Sequence, residues 1–303
     1  MKVGIVLVTF NRIKDLQKTL LAYEKQIVAP EFVLVVDNNS TDGTKEYLKE
    51  WKNTHSDFKH YVLSLPQNIG GSGGFYMGMK EALKLECDWI FVADDDAVPD
   101  SSMLKELIDF KNRHKEKMEH VSALCTSVNN RGKCAGIHRC RIKRSFLGCF
   151  ESYVPEEEYT KEYFEIDIYS FVGTMIRRDA LEKAGLARKE FFIYNDDYEH
   201  AIRIGKTGQI ICVPKSIMYH VDNLNYSREA TWRDYYATRN GVIMHLEHFG
   251  IYAGIMRALR RLAVGIAAFN FPKIKVICIG IKDGFMRKTG IHHNYKPGWK
   301  VGK

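Results

Sequence analysis

Four short apolar runs occur in the first hundred residues, at positions 2–10, 32–36, 61–65 and 89–93. The first two are rich in β-branched residues, as is typical of strands buried on both faces of a sheet. Between the runs, apolar residues recur at helical spacing, as at Leu16, Leu20 and Tyr23, and this pattern predicts amphipathic helices. Regular alternation of strands and helices predicts an α/β domain with a mainly parallel central sheet.

The pattern loosens after residue 101. The basic segment 131–144 and the acidic segment 151–165 indicate loops or edge hairpins, whereas residues 166–177 predict another strand. A short helix is expected over residues 178–184, ending at Gly185, because glycine often follows the last turn of a helix. Beyond His220 the chain becomes helical and basic. We therefore expect a main domain at residues 1–240 and a basic, amphipathic helical region at residues 241–303.

Polar side chains follow the predicted strands at the points where the strands end. Asp37 follows the second run, Asn68 follows the third, and Asp94, Asp95 and Asp96 follow the fourth. Ligands of such sheets bind beyond the carboxyl ends of the strands. Three adjacent carboxylates repel one another unless a cation compensates them, and Mg²⁺ and Mn²⁺ prefer oxygen ligands. The run therefore indicates a divalent metal site, and a solvated acidic turn is the alternative.

Two further segments contain candidate chemistry. In the segment 191–203, Asp196 and Glu199 have the spacing of a capping box, so Asp196 is a candidate helix cap and Asp197 a candidate general base. Asp37 is either a turn former or an acceptor for the N3–H of a pyrimidine base. The glycine-rich residues 68–74 are either a phosphate-binding loop or a flexible turn. His220 becomes a third metal ligand only if the fold brings it near Asp96.

Charge and composition narrow the class of partner. The net charge of +8 suggests a polyanionic partner, but the sequence has no helix-turn-helix, RNP or zinc-finger pattern, so we expect no nucleic-acid partner. Seven cysteines without a CxxC pair predict reduced thiols in a cytoplasmic protein. Residues 250–271 predict a basic amphipathic helix that is too short in its apolar part to span a bilayer. The region 250–290 either binds an anionic membrane surface or packs on the main domain.

Six motifs in order resemble glycosyltransferase family 2, whose members have the GT-A fold. They are VTFNR, VVDNNSTDGT, NIGGSGGF, FVADDDA, SFVGTMIRRDAL and FFIYNDDYEHAIR, and the resemblance covers about residues 1–240. Within the family, DDDA together with NIGGSGGF is most similar to bacterial galactofuranosyltransferases, and rhamnosyltransferases are the nearest alternative. The resemblance implies a catalytic domain at residues 1–240.

The resemblance also implies roles for individual residues. Asp94 and Asp96 would bind Mn²⁺ or Mg²⁺ with His220 as the third protein ligand, Asp197 would be the catalytic base, and Asp196 its acidic neighbour. The other implied residues would bind the nucleotide-sugar donor. They are Thr9, Arg12 and Asp37 at the nucleoside, Asn68 near the diphosphate, Asp95 at the sugar, and Trp232, Tyr236 and Arg239 of TWRDYYATRN near the diphosphate or acceptor.

The function implied is an inverting transfer of a sugar, with galactofuranose from a UDP donor preferred over rhamnose from a dTDP donor. The acceptor would be a hydroxyl of a polysaccharide or O-antigen precursor, such as a polyprenyl-diphosphate-linked glycan at the inner face of the cytoplasmic membrane. A sugar-1-phosphate nucleotidyltransferase would need an Arg-containing glycine-rich loop after the first strand, which VTFNR does not supply. A polyanion-binding module would leave the strand-end acids unexplained.

Overall fold

The computed structural model describes residues 1–221 and 228–301. Residues 222–227 and the last two positions of the expected C-terminal region, 302 and 303, lie outside the described residues. The strands are β1 (Val3–Thr9), β2 (Phe32–Asp37), β3 (Lys59–Ser64), β4 (Trp89–Asp94), β5 (Val98–Pro99), β6 (Val121–Asn130), β7 (Lys133–Cys134), β8 (Arg139–Ser145), β9 (Gly148–Tyr153), β10 (Phe164–Ile166), β11 (Ile168–Tyr169), β12 (Thr174–Arg177) and β13 (Gln209–Tyr219).

The helices flank and follow these strands. The α-helices are α1 (Ile13–Glu24), α2 (Thr44–Trp51), α3 (Gly70–Ala82), α4 (Met103–Arg113), α5 (Arg178–Ala184), α6 (Asp196–Gly205), α7 (Trp232–Phe249), α8 (Ile251–Ala267) and α9 (Phe271–Phe285). Short 3₁₀-helices occur at Lys117–His120, Gly136–His138, Glu156–Thr160 and Lys189–Phe191. The expected α/β class is confirmed, and so is the short helix α5, which ends at Gly185 with a φ of 81°.

The main sheet has the strand order β10-β13-β6-β12-β4-β1-β2-β3. Strands β1 to β4 are parallel to their neighbours within this group, and β12 runs antiparallel between β4 and β6. In this register Thr9 at the end of β1 pairs with Asp37, and Val8 pairs with Asp94. Because β2 and β4 both pair with β1, their terminal aspartates lie at the same edge of the sheet.

The glycine-rich segment is helical rather than an open loop. Helix α3 begins at Gly70 and packs against β1. A Cβ atom on Gly74 would lie 2.5 Å from a methyl carbon of Val8, and one on Gly78 would lie 2.4 Å from a methyl carbon of Val6. These glycines therefore allow the helix to approach the strand closely, which the local sequence pattern did not indicate.

The second half of the chain departs further from the predicted elements. The strand expected over residues 166–177 is divided among β10, β11 and β12. The segment expected to form loops or edge hairpins contains the hairpin of β8 and β9, which forms a small second sheet with β11. Hydrogen bonds from Arg139 to the backbone carbonyls of Thr126, Val172 and Gly173 at 2.8–3.0 Å connect this hairpin to the main sheet.

The C-terminal helices pack on the rest of the molecule. Helix α7 contacts α8 and α9, and α8 contacts β9. A capping box between Thr231 and Asp234 starts α7, which continues without a break through residue 240, where the domain boundary was expected. Among the described residues, no helix combines the length and the apolar character that crossing a membrane requires.

Candidate functional site

The acidic run at the end of β4 meets His220, which follows β13. One ligand atom each from Asp94, Asp96 and His220 lies within 4.8 Å of the others. The His220 Nε2 atom is 3.3 Å from a carboxylate oxygen of Asp96. Two carboxylates and an imidazole are a suitable ligand set for Mn²⁺ or Mg²⁺, so these residues fit a divalent ion by their chemistry and spacing.

The charges around this cluster are only partly compensated by the protein. Burial, followed by the charge of Asp96, raises the pKa of Asp94 to about 7. Burial also raises the pKa of Asp95 to about 6, against hydrogen bonds from Thr9 and Arg12. The Thr9 hydroxyl donates to Asp95 at 2.6 Å, and the half-exposed Arg12 guanidinium lies 3.3 Å from the other Asp95 oxygen and also pairs with Asp96. A bound cation would stabilise the ionised form of all three aspartates.

Asp37 and Asn68 lie at the neighbouring strand ends. Asp37 is fully buried: one of its carboxylate oxygens accepts a hydrogen bond from the Ser40 amide at 2.9 Å, and the other has no hydrogen-bond partner among the described residues. The Asn68 side chain accepts a hydrogen bond from the Gly70 amide at 2.8 Å and so holds the start of α3. Contact of Asp37 with a pyrimidine base and of Asn68 with a diphosphate stay predictions.

Asp196 and Asp197 form the first turn of α6. The capping box expected between Asp196 and Glu199 does not form: Asn195 occupies the cap position, and Glu199 instead accepts hydrogen bonds from Arg203 at 2.9 and 3.0 Å. Burial raises the pKa of Asp196 to about 6. Burial and the neighbouring Asp196 charge raise the pKa of Asp197 well above its ordinary value.

A cavity of about 590 Å³ brings the two acidic groups together. Its lining includes Asp94 and His220 from the candidate metal cluster and both Asp196 and Asp197 from α6. A carboxyl group with a raised pKa accepts a proton more readily than an ordinary one, which suits a general base. The arrangement therefore places a candidate cation site and a candidate general base in one cavity.

The turn that leads into α6 has an unusual backbone. Phe192, Tyr194 and Asn195 have φ values of 67°, 67° and 62°, a region that residues with side chains rarely adopt. The buried amide of Asn240 donates hydrogen bonds to carbonyls of this turn at 2.9–3.0 Å. The Phe192 carbonyl also accepts from the Ser72 amide at 3.2 Å. We call residues 191–195 the strained turn.

Trp232, Tyr236 and Arg239 do not line the cavity. Their partners lie in the strained turn and the C-terminal tail, where Arg239 donates to the Gly290 carbonyl at 2.6 Å and Tyr236 to the Tyr295 carbonyl at 2.8 Å. The ring of Trp232 packs against that of Tyr236. In this structure the three side chains therefore hold protein segments together, and only Ala237 of α7 reaches the cavity wall.

Other cavity residues were not identified from the sequence as site residues. His138 shares a 2.7 Å hydrogen bond with Ser170, and its ring meets that of His220 edge to face. Tyr198 donates to the Ile137 carbonyl at 2.8 Å. Arg257 of α8 lines the same cavity and forms an ion pair with Glu151 at 3.1 Å. The position of Tyr198 directly after Asp197 could have marked it as a site residue. Nothing in the sequence distinguished Arg257 from the other basic residues of its helix.

Comparison with known proteins identifies the family of this chain. The sequence profile described as "Glycosyl transferase family 2" matches residues 4–185. The chain is 27% identical over 205 residues to galactofuranosyltransferase GlfT1 of Mycolicibacterium smegmatis, over 67% of this chain. That match spans 65% of the relative, just under two thirds of its length. The present chain is also 23% identical over 249 residues to the dTDP-rhamnosyl transferase RfbF of Shigella flexneri. This match covers 79% of the present chain and 78% of RfbF.

Solved structures show the same fold. The mannosyltransferase PcManGT of Pyrobaculum calidifontis, solved with GDP-Man and Mn²⁺, superimposes with a TM-score of 0.57 over 95% of this chain and 88% of that one. The sequence identity is 17%, so the likeness is one of fold alone.

Proposed function

Because this chain belongs to glycosyltransferase family 2, we propose that it transfers galactofuranose from UDP-galactofuranose to a hydroxyl group of a cell-surface glycan precursor. The chain is a glycosyltransferase with the GT-A fold. Its similarity to galactofuranosyltransferase GlfT1 supports the choice of donor. The observation that carries the proposal is the single cavity lined by Asp94, His220 and Asp197.

Asp94, Asp96 and His220 would hold Mn²⁺ or Mg²⁺. When bound there, the ion neutralises the charge that develops on the departing diphosphate. Asp95, buried beside them and hydrogen-bonded by Thr9, faces the donor sugar in this proposal. Arg12, which pairs with Asp95 and Asp96, would contact the nucleoside of the donor.

Asp197 would act as the general base. A carboxylate oxygen of Asp197 takes the proton of the acceptor hydroxyl, whose oxygen bonds to the anomeric carbon as the bond from that carbon to the diphosphate breaks. This single displacement inverts the anomeric configuration and needs no covalent intermediate. Burial, followed by the neighbouring charge of Asp196, raises the pKa of Asp197 and so favours proton transfer to it. The acceptor would be a polyprenyl-diphosphate-linked glycan of a polysaccharide pathway.

Rhamnosyl transfer is the second candidate. The similarity to the dTDP-rhamnosyl transferase RfbF extends over 78% of that protein, more of its length than the 65% matched in GlfT1. The two donors differ in the base and in the sugar. Asp37, whose second carboxylate oxygen has no hydrogen-bond partner in the part of the chain that the structure describes, would accept the N3–H of either uracil or thymine. This residue therefore does not separate the candidates.

A donor screen tests both candidates. The protein is incubated with UDP-galactofuranose, UDP-galactopyranose, UDP-glucose and dTDP-rhamnose, with Mn²⁺ or with EDTA, and release of the nucleoside diphosphate is measured. We expect release from UDP-galactofuranose that EDTA abolishes, and a loss of about 10²–10⁴-fold in the Asp197→Asn variant. The matched control is Asp57→Asn, at an exposed position, which keeps full activity. Release that survives EDTA argues against the metal, and full activity in Asp197→Asn argues against the base.

A further inference from the structure

Helix α8 exposes apolar side chains to the solvent. Its exposed residues are Ile251, Tyr252, Ile255, Leu259, Ala263, Val264, Ile266 and Ala267. Two of the three arginines of this helix face the rest of the molecule: Arg257 pairs with Glu151 at 3.1 Å, and Arg261 lies 3.5 Å from Asp234. A helix that packs on a globular domain normally turns its apolar side inward and its charges outward. In α8 only small residues are buried, namely Ala253, Gly254, Ala258 and Gly265, and most of the large apolar side chains face outward.

Neighbouring segments extend this apolar surface at both ends of α8. At one end, the tip of the β8–β9 hairpin exposes 82% of Phe146 and 48% of Leu147. Tyr252 and Arg260 attach the tip to the helix by donating hydrogen bonds to the carbonyls of Phe146 and Leu147. At the other end, Phe269 is 92% exposed, in the turn to α9. We call Phe146, Leu147, Phe269 and the exposed residues of α8 the apolar face. A contiguous surface of this kind marks an interaction site.

The distribution of charged residues along the chain indicates which kind of partner would bind the apolar face. Of the 45 Lys and Arg residues, 11 lie in residues 250–303, against 1 of the 37 acidic residues, so this region has a net charge of +10 and residues 1–249 a net charge of −2. Lys143 and Arg144 are exposed beside the hairpin tip, and Lys275 is exposed on α9. A second copy of the chain would bring two strongly basic regions together. An anionic surface would instead attract them.

We propose that the apolar face docks onto the surface of an anionic lipid bilayer. Helix α8 lies in the plane of the interface with its exposed side chains among the acyl chains, and the flanking lysines and arginines contact the headgroups. The helix has 17 residues, and an apolar face on one side only suits this orientation rather than a crossing one. Arg257, on the inward side of α8, lines the cavity with Asp197. A lipid-linked acceptor would therefore reach the base from the bilayer, a consequence that rests on the proposed function.

Vesicle flotation of the full chain tests the docking without any donor or acceptor, so its outcome is independent of sugar transfer. We expect the protein to float with vesicles of phosphatidylcholine and phosphatidylglycerol, and not with vesicles of phosphatidylcholine alone. The double variant Leu259→Ser with Phe269→Ser should bind about tenfold or more weakly, because each side chain contributes apolar burial. The matched control is Leu21→Ser with Ile27→Ser, which removes side chains that are 56% and 62% exposed elsewhere. It should bind like the wild type.

A second variant tests the charge. Lys143→Gln with Arg144→Gln should weaken binding to the anionic vesicles several-fold, and added salt should reduce the difference from the wild type. The proposal is overturned if the wild type binds neither vesicle, if it binds both equally, or if the Leu259 and Phe269 double variant binds like the wild type. A concentration-dependent dimer that this double variant abolishes, without vesicle binding, would instead assign the face to a second copy. Circular dichroism checks that each variant is folded.

Discussion

The contact between Asn240 and the strained turn gives the sharpest prediction. The Asn240 amide donates to the carbonyls of Phe191, Ile193 and Tyr194 at 3.0, 2.9 and 2.9 Å. Three residues of the turn have positive φ, each costing roughly 1–2 kcal/mol for a residue with a side chain. Asn240→Ala removes the group that offsets this cost, and the expected result is a turn that relaxes and moves Asp196 and Asp197.

The magnitude follows from the hydrogen bonds. An amide has two N–H groups, each hydrogen bond contributes about 0.5–1.5 kcal/mol, and a buried carbonyl left without a partner costs about 1–3 kcal/mol. We therefore expect Asn240→Ala to lower the free energy of unfolding by about 2–4 kcal/mol. The first turn of α6 follows the strained turn directly, and a displacement of about 1 Å at a catalytic group costs about 10²-fold in rate.

The assay measures kcat for release of the nucleoside diphosphate together with the free energy of unfolding. The matched control is Val242→Ala on the same helix, which is fully buried and packs against Gly284 of α9 rather than against the strained turn. It should lose about 2 kcal/mol of stability and keep kcat near the wild-type value. The reasoning is refuted if Asn240→Ala keeps its kcat, or if the two variants lose activity in equal measure at equal stability.

Three further predictions concern the metal, pH and packing. Mn²⁺ at about 100 times its Kd should stabilise the wild type by about 2.7 kcal/mol and so raise its Tm. Asp96→Asn should abolish this rise in Tm. An equal rise in both proteins would contradict the metal site. Burial lowers the pKa of His200 to about 3, so the unfolded chain takes up its proton first as the pH falls. The stability of the wild type relative to His200→Gln, from urea unfolding, should therefore shrink by about 2 kcal/mol between pH 7 and pH 5; a constant difference would contradict this. Gly74→Ala should lower Tm by several degrees, because its Cβ would lie 2.5 Å from Val8. Gly71→Ala is the control and should leave Tm unchanged, since no side chain or neighbouring segment lies within 4 Å of its Cβ. Similar Tm values for the two variants would contradict the close packing.

The edge of the sheet where the site lies was predictable from the sequence. Parallel strands buried on both faces leave continuous apolar runs, and the carboxyl ends of such strands must meet at one edge. Asp37 and Asp94 were located in this way, and the register of β1 with β2 and β4 places them together. Gly185 was equally predictable, because its positive φ is a local requirement of the helix end.

Features that depend on distant partners were not predictable. Glu199 has the spacing of a capping box, but it pairs with Arg203 and with His248, which is 49 residues away. The glycines of α3 look like a loop until the approach of β1 is known. Arg257 differs from Arg260 in sequence only by position, and the packing of α8 on β9 decides that Arg257 faces the cavity. No local pattern contains that information.

The place of Arg257 on α8 has a consequence for the acceptor if the apolar face docks onto a bilayer as proposed. One side of this helix faces outward, and Arg257 on the other side lines the cavity, so the two sides are separated by about one helix diameter, ~10 Å. With the outward side resting on a bilayer, the Asp197 carboxylate would stay at a constant height above the lipid. An acceptor hydroxyl would then be selected by its distance from the lipid as well as by its stereochemistry. Such a geometry would favour transfer to the sugar units nearest the lipid anchor over transfer to the far end of a long glycan.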